Sequence, residues 1–424
     1  MTRYLFLPIL IVLLAASLVP GDQTLTFVMW KPDHPKLWNR IIGTFEQETG
    51  IHVNVQIGPH SSTAAHALVS QKLKNRDPEL DVFMMDVVWP AEFAAAGWVA
   101  SLDDLLPEDQ KSDFFAGAID ACTFQGRLYG IPFWTSGGLL YYRTDLLSKY
   151  GFQPPKTWGE LVRQAEVIVE GEQSHDPAIR GYSGQFKEYE GLVCDMQEFI
   201  LSNRGHLLDK KAQRSTINLA RNIEAVRFVR DRIIGHVAPR GVLTYEEPES
   251  LYLFIQGHAV FLRNWPYAWQ IANDSKRSRI AGKVGLTMLP HFPGGESVST
   301  LGGWQFAISQ FSRKKAVAWR FVEFMTSRRT QKLLAVDASQ APARKSVYND
   351  PEVLAKNPHF SKLLRVFEST RPRPEIPLYP LYSIILQRFY QRALAFKSSA
   401  IENLAAEADR KVEELLKLQR EAGM

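Results

Sequence analysis

Residues 24–57 switch between two hydrophobic periods, and this constrains the fold more than any other feature of the chain. Thr24-Leu25-Thr26-Phe27-Val28-Met29-Trp30 reads as a strand. Residues 36–49 carry Leu37, Ile41 and Phe45 at helical spacing and stop at Gly50, so they read as a helix. Ile51-His52-Val53-Asn54-Val55-Gln56-Ile57 alternates as a second strand. A strand, a helix and a strand in that order predict a parallel β-α-β unit. A helix is expected over 62–75, and Leu80-Asp81-Val82-Phe83-Met84-Met85 is a short apolar run ending at Asp86. Asp86 therefore stands at the carboxyl end of a strand, the edge at which open α/β sheets hold ligands.

The pattern restarts after residue 137. Gly138-Leu139-Leu140-Tyr141-Tyr142-Arg143 reads as a strand, residues 157–170 and 189–202 as helices, and a further helix carries Leu219, Ile223 and Val226. Ala259-Val260-Phe261-Leu262 reads as a buried strand, with further strands at 285–290 and 305–309 and amphipathic helices at 315–325 and 401–418. At 424 residues with 45% hydrophobic composition, the chain exceeds the size at which one core stops growing, so two α/β lobes are expected. No internal repeat or long linker separates them.

The N-terminus orders Arg3, an apolar run from Leu5 to Leu14, then Ala15, Ala16 and Ser17, as a secretory signal does. Residues 1–21 are assigned to that signal, and no cysteine follows that could carry a lipid anchor. A periplasmic or extracellular location is expected. No later apolar run reaches the roughly 20 residues of a membrane helix, which excludes a permease. The net charge of +5 is spread in short clusters such as Arg313-Lys314-Lys315, which argues against a nucleic-acid surface. Cys122 and Cys194 could pair in an oxidising compartment; they have neither metal spacing nor a CxxC motif, and two buried free thiols is the preferred reading.

Two aromatic segments carry the chemistry: Arg263-Asn264-Trp265-Pro266-Tyr267 and Leu301-Gly302-Gly303-Trp304. Indole and phenol rings present a broad apolar face with a polar rim, which suits the C–H patches and hydroxyls of a sugar. Taken alone, Trp265 and Trp304 would be core residues, and Asp86 would cap a helix over 87–96. Pro266, Gly302 and Gly303 place the tryptophans on turns and favour a site.

These segments, with Asp81 to Trp89, Tyr189 to Asp195, Gly138 to Arg143 and Leu289 to Gly294, together resemble the extracellular sugar-binding proteins of ABC importers, in particular the trehalose/maltose-binding proteins. The likeness runs in order along nearly the whole chain beyond the export segment. It implies an α/β, two-lobed periplasmic-binding-protein type II fold, each lobe a mostly parallel sheet flanked by helices, joined by a three-stretch hinge. The implied lobes are 22–132 with 289–325, and 133–288 with 326–424, crossing near 131–136, 287–290 and 325–328. The resemblance also implies a monomer without cofactor or metal that closes over a sugar and delivers it to a permease with a cytoplasmic ATPase.

Carried over by position, the implied sugar contacts are Asp86, Trp265, Tyr267, Gly303, Trp304 and Arg373. A carboxylate accepts hydroxyl hydrogen bonds, a guanidinium offers a fork of donors, and glycine lets backbone approach the ligand. Arg371 and Arg373 share one proline-rich stretch, and only the family register selects Arg373. Two carboxylates of the family are replaced: His34 stands where a glutamate is usual and Ser136 where an aspartate is usual, while Trp134 in the same crossover stands where an aromatic is usual. Fewer carboxylates make the site less negative, so an anionic sugar or a glycoside is the alternative ligand. A secreted glycoside hydrolase is the rival activity; it needs two carboxyl groups about 5 to 10 Å apart, and only Asp86 has a clear place.

Overall fold

The computed structural model describes residues 24–32, 34–59, 62–209, 214–398 and 400–423. The export segment, residues 1–21, lies outside the described residues. Strand β1 (Thr24–Trp30), helix α1 (Pro35–Thr49), strand β2 (His52–Gly58), helix α2 (Ser62–Lys74) and strand β3 (Val82–Asp86) follow the expected order. Helix α1 begins with proline in its first turn, buries Leu37, Trp38, Ile41, Ile42 and Phe45, and ends at Gly50 with φ 70°, whose N–H bonds Glu46 O. Strand β1 pairs in parallel with both β2 and β3, and β3 is buried along its whole length as a central strand must be.

Strand β4 (Ile131–Gly137) ends the first run, and strand β5 (Leu139–Arg143) begins the second sheet after one residue, Gly138. Helix α3 (Trp158–Glu172) opens on a capping box in which Thr157 and Glu160 satisfy each other's backbone N–H. Strand β6 (Arg180–Ser183), helix α4 (Glu190–Ser202), helix α5 (Ala220–Phe228), helix α6 (Glu247–Ile255), strand β7 (Ala259–Asn264) and strand β8 (Val284–Thr287) complete this half. Its sheet has the order β8-β5-β7-β6. The expectation of a mostly parallel sheet needs correction here: β5 runs antiparallel to both β7 and β8, and only β7 with β6 is parallel. The reason is topological. Strand β5 enters the second sheet from the first and runs against β6, β7 and β8, which share one direction.

Strand β9 (Ser299–Ile308) returns to the first sheet, where it pairs antiparallel with β3 and β4, and helix α7 (Lys315–Thr326) covers both β9 and β4. Helix α8 (Arg328–Ala338) touches α1 and α7, while helix α9 (Phe360–Glu368) touches β4 and β9. Phe360, Leu363 and Phe367 of α9 share one apolar cluster with Tyr141 of β5 and Phe254 of α6, so this stretch packs on both sheets. Strand β10 (Thr370–Arg371) adds to the first sheet beside β9. Helix α10 (Tyr379–Ala395) then packs on α4, and helix α11 (Ile401–Glu421) on α10 and α5. The chain changes sheets at Gly138 and between 288 and 298, and after the 370–371 strand of the first sheet it reaches α4 of the second half between 372 and 378, whereas the resemblance implied a crossing near 325–328 with 326–424 in the second lobe.

The first half is centred on Phe27, Phe45, Phe306 and Phe321, and the second on Trp158 stacked on Phe199 with ring centroids 4.0 Å apart. A fully buried ring of this kind contributes about 1.5–3 kcal/mol relative to exposure. Cys122 and Cys194 are both free and buried, in different halves. On α11, Glu407 meets Lys411 at 2.6 Å as its spacing predicts, whereas the Glu413 carboxylate turns away from Lys417 to accept the Ser215 N–H at 2.8 Å. None of the described helices is long and apolar enough to cross a membrane.

His359 is buried, stacks on Trp269 at 4.7 Å, and neither ring nitrogen has a hydrogen-bond partner among the described residues. Burial, with Lys362 nearby, pushes its imidazole down to about 3 from 6.5. The folded state therefore resists a proton that the unfolded chain accepts. The linked stability is fully present above pH 6.5 and is lost as pH falls towards 3, by about 1.4 kcal/mol per unit. Melting temperatures compared at pH 7 and pH 5.5 should fall less in a His359→Phe protein, which keeps the stack and cannot bind the proton.

Candidate functional site

One row of the first sheet builds the centre of the site. Strand β9 is flanked on both sides, and at Trp304 its neighbours are Asp86 on β3 and Trp134 on β4. One step earlier, Gly303 opposes Thr135 and Gly302 opposes Ser136. The register slips between Trp304 and Gln305, leaving Phe133 as the extra residue of a bulge, with its ring in the core 4.7 Å from Phe306. Gly303 has φ 138°, and a Cβ there would lie 2.5 Å from the Trp134 carbonyl oxygen. This glycine is required by neighbouring backbone, a stricter reason than approach to a ligand.

The row opens into a cleft of about 540 Å³. Asp86, Trp265, Tyr267, Gly303, Trp304, Arg373, Trp134, Ser136 and His34 all line it, so the structure brings together every residue singled out from the sequence. The first wall is aromatic. Trp304 stacks on Trp30 with centroids 5.3 Å apart and planes at 28°, and Trp30 meets Trp134 edge-on at 4.5 Å. Trp304 also touches Trp89 edge-on at 5.5 Å, so it is anchored in the core and lines the cleft. Sequence reasoning missed Trp30 and Trp38, although a tryptophan closing a strand at the ligand-holding edge was a usable signal.

The polar centre lies where α4, β3 and the third passage converge. Arg373 is 4% exposed; its Nη1 donates to Glu190 Oε1 at 2.6 Å and its Nη2 to Leu301 O at 3.3 Å. Nη2 also lies 3.6 Å from Asp86 Oδ1. Arg371, two residues earlier, is exposed and pairs with Glu296 at 3.5 Å; a continuous strand would turn both arginines to one side, but β10 ends at Arg371 and Pro372 follows. Asp86 is buried, and its Oδ2 accepts the Ser62 hydroxyl at 2.7 Å. It caps no helix: the helix of residues 90–95 has Trp89 as its N-cap. Burial raises the Asp86 carboxyl above its ordinary value, opposed by the Arg373 charge and the Ser62 hydroxyl. Asp86 Oδ1, Arg373 Nε and Thr135 Oγ1 are buried without a hydrogen bond among the described residues. Such atoms are costly unless something else satisfies them, and all three residues line this cleft. Glu190, whose carboxylate also accepts from Tyr379 and Ser383, was not found from sequence because its partners come from distant segments.

Trp265 faces this centre from the second half. Its Nε1 donates to Glu247 at 3.1 Å, the Arg263 guanidinium lies 4.0 Å from its ring centre, and a Cβ on Gly302 would sit 3.0 Å from its ring edge. Tyr267 follows at the mouth, about one-third exposed. His34, half-buried, precedes α1 and uses its backbone carbonyl to accept the Leu37 and Trp38 N–H groups. With rings on two sides and unpaired donors and acceptors between them, the arrangement can hold a ligand with both apolar faces and hydroxyls.

Two α/β halves around such a cleft define a two-lobed binding protein of the periplasmic type. Residues 31–332 match the family described as bacterial extracellular solute-binding protein, and this chain belongs to that family. It is 38% identical over 329 residues, 77% of each chain, to a probable ABC transporter-binding protein of Deinococcus radiodurans. Among solved structures it is similar to maltose-bound MalE3 of T. maritima, at 36% identity and TM-score 0.86, covering 92% of this chain and 99% of that one. A tagatose-bound solute-binding protein of Thermotoga lettingae, at 24% identity and TM-score 0.82 over 93% and 99% of the two chains, shares the fold.

The backbone at Gly303 yields a direct expectation. A Gly303→Ala protein should lose about 1–3 kcal/mol of stability in denaturant unfolding, since alanine resists this φ and its methyl meets the Trp134 carbonyl. A loss below 0.5 kcal/mol or so would contradict the tight fit between β4 and β9.

Proposed function

We propose that this protein is the extracytoplasmic sugar-binding component of an ABC importer. It captures a di- or oligosaccharide, trehalose- or maltose-like, between its lobes and presents it to a permease driven by a cytoplasmic ATPase. The observation that carries the reading is the convergence on one cleft of the Trp304–Trp30 stack, the facing Trp265, and the atoms of Asp86 and Arg373 that have no hydrogen bond among the described residues. Rings would cover the sugar's C–H faces while the carboxyl and guanidinium take its hydroxyls. The maltose held by MalE3 of T. maritima supports the same ligand class. The lobes rotate about the passages at Gly138, 288–298 and 372–378, and closure is favoured because the closed state adds contacts from the second wall. The protein works by binding alone, outside the cytoplasm and as a monomer, without cofactor or metal.

An anionic sugar or a glycoside is the second reading, favoured by one observation: His34 and Ser136 line the cleft, at positions where the resemblance to trehalose/maltose-binding proteins implies carboxylates. A thermal-shift panel of trehalose, maltose, sucrose, single hexoses and anionic sugars separates the two. Ligand at 100 times its dissociation constant adds about 2.7 kcal/mol, a shift of roughly 3 °C for a chain of this size. A neutral disaccharide is expected to give that shift, and a response to anionic sugars alone would replace the first reading by the second. Trp304→Ala should weaken binding of the responding sugar roughly tenfold or more in calorimetry, and unchanged affinity would remove this ring from the site.

A further inference from the structure

A buried charge cluster lies directly behind Trp265. Arg263 is 1% exposed and grips Glu198 with two bonds, Nη2 to Oε1 at 2.6 Å and Nε to Oε2 at 2.8 Å. Its Nε lies 3.1 Å from Asp195 Oδ1, and its Nη1 donates to Gln185 Oε1 at 3.1 Å. The guanidinium plane held by these groups is the one over which the Trp265 ring rests. Two carboxylates share one cation here, an expensive arrangement to bury for packing alone.

The same carboxylate reaches the other half of the molecule. Glu198 Oε1 accepts the N–H of Thr300, the second residue of β9, at 3.1 Å. It also abuts the first passage, since a Cβ on Gly138 would lie 2.0 Å from that oxygen. Nearby, Ser299 Oγ donates to Gly138 O at 2.7 Å and Thr300 Oγ1 to Cys194 O at 2.9 Å. Glu198 thus contacts the first passage at Gly138 and the strand that begins where the second passage ends and, through Arg263, a cleft-lining ring on the other side.

We propose that Glu198 and Arg263 are positioning residues that couple the seating of Gly138 and Thr300 to the pose of Trp265, so that the state of the hinge is felt at the cleft. Neither side chain lines the cleft. The pair acts on ligand only through the ring, and this part rests on the saccharide reading above, whereas the coupling itself does not.

The test compares Glu198→Gln with Asp195→Asn. Each removes one carboxylate from Arg263 and leaves a one-to-one ion pair, but only the first alters the group that holds Thr300. In ligand-free protein, hydrogen exchange should rise in Glu198→Gln both at 299–304 and at 263–268, while Asp195→Asn should leave 299–304 protected. Arg263→Lys keeps the charge and loses the plane, and should raise exchange at 263–268 and carry 299–304 with it; it serves if Glu198→Gln does not fold. In calorimetry with maltose, Glu198→Gln should bind about tenfold more weakly than the parent and more weakly than Asp195→Asn. Faster exchange confined to 299–304, or identical behaviour of the two carboxylate variants, overturns the coupling. A parent protein that binds no sugar of the panel overturns the saccharide reading instead, and the exchange comparison still decides this one.

Discussion

Strand β9 is hydrogen-bonded along both edges, and the cleft depends on that. Residues 304–308 pair with β3 and residues 301–306 with β4, so the strand fixes where Asp86, Trp134 and Trp304 stand relative to one another. A single residue carries the strain of fitting it. Gly303 adopts a φ that side chains avoid, at the point where the Trp134 carbonyl leaves no room for a Cβ. The start of β9 also leans on α4, through Thr300 and Glu198. One strand therefore belongs to the first sheet, shapes the floor of the site and touches the second half.

The electrostatics of the cleft follow the same economy of groups. Arg373 is shared between Glu190 and Asp86, and Arg263 between Glu198 and Asp195. Each buried cation faces two carboxylates, and in each cluster burial raises one aspartate, Asp86 in the cleft and Asp195 behind Trp265. The arginines face different tasks. Arg373 lines the cleft and keeps one nitrogen, Nε, without a hydrogen bond among the described residues, whereas Arg263 sits behind a ring and holds it.

Much of the first half was legible because its strands and helices are long and strongly periodic. The β1-α1-β2 unit and the end of β3 at Asp86 lie within a residue or two of their expected limits. Apart from the proline-rich run around Arg373, the stretch from residue 328 to residue 395 was assigned no elements, and it holds α8, α9, β10 and α10. On α10, Tyr379, Tyr382 and Tyr390 are buried against α4 and α5 and no simple amphipathic stripe marks that helix, whereas α9 buries Phe360, Leu363, Val366 and Phe367 on one face and carried a usable signal. Antiparallel pairing of β5 was equally hidden, since nothing local tells a strand whether its neighbour arrives by a crossover or directly.

What the sequence determined by itself was the class of the fold and the chemical types at the site: rings, one strand-end carboxylate, one arginine and a glycine pair. Periodicity and residue chemistry are local properties, and a resemblance in order along the chain supplied the register. Tertiary structure alone decided which of those groups would be free. Glu190 takes up part of Arg373, Trp30 backs Trp304, and Glu198 joins Thr300 to Arg263, all through contacts between residues 65 or more positions apart. Such contacts depend on how two sheets meet across a hinge, and no local pattern records the position of a partner that the chain reaches only by folding back.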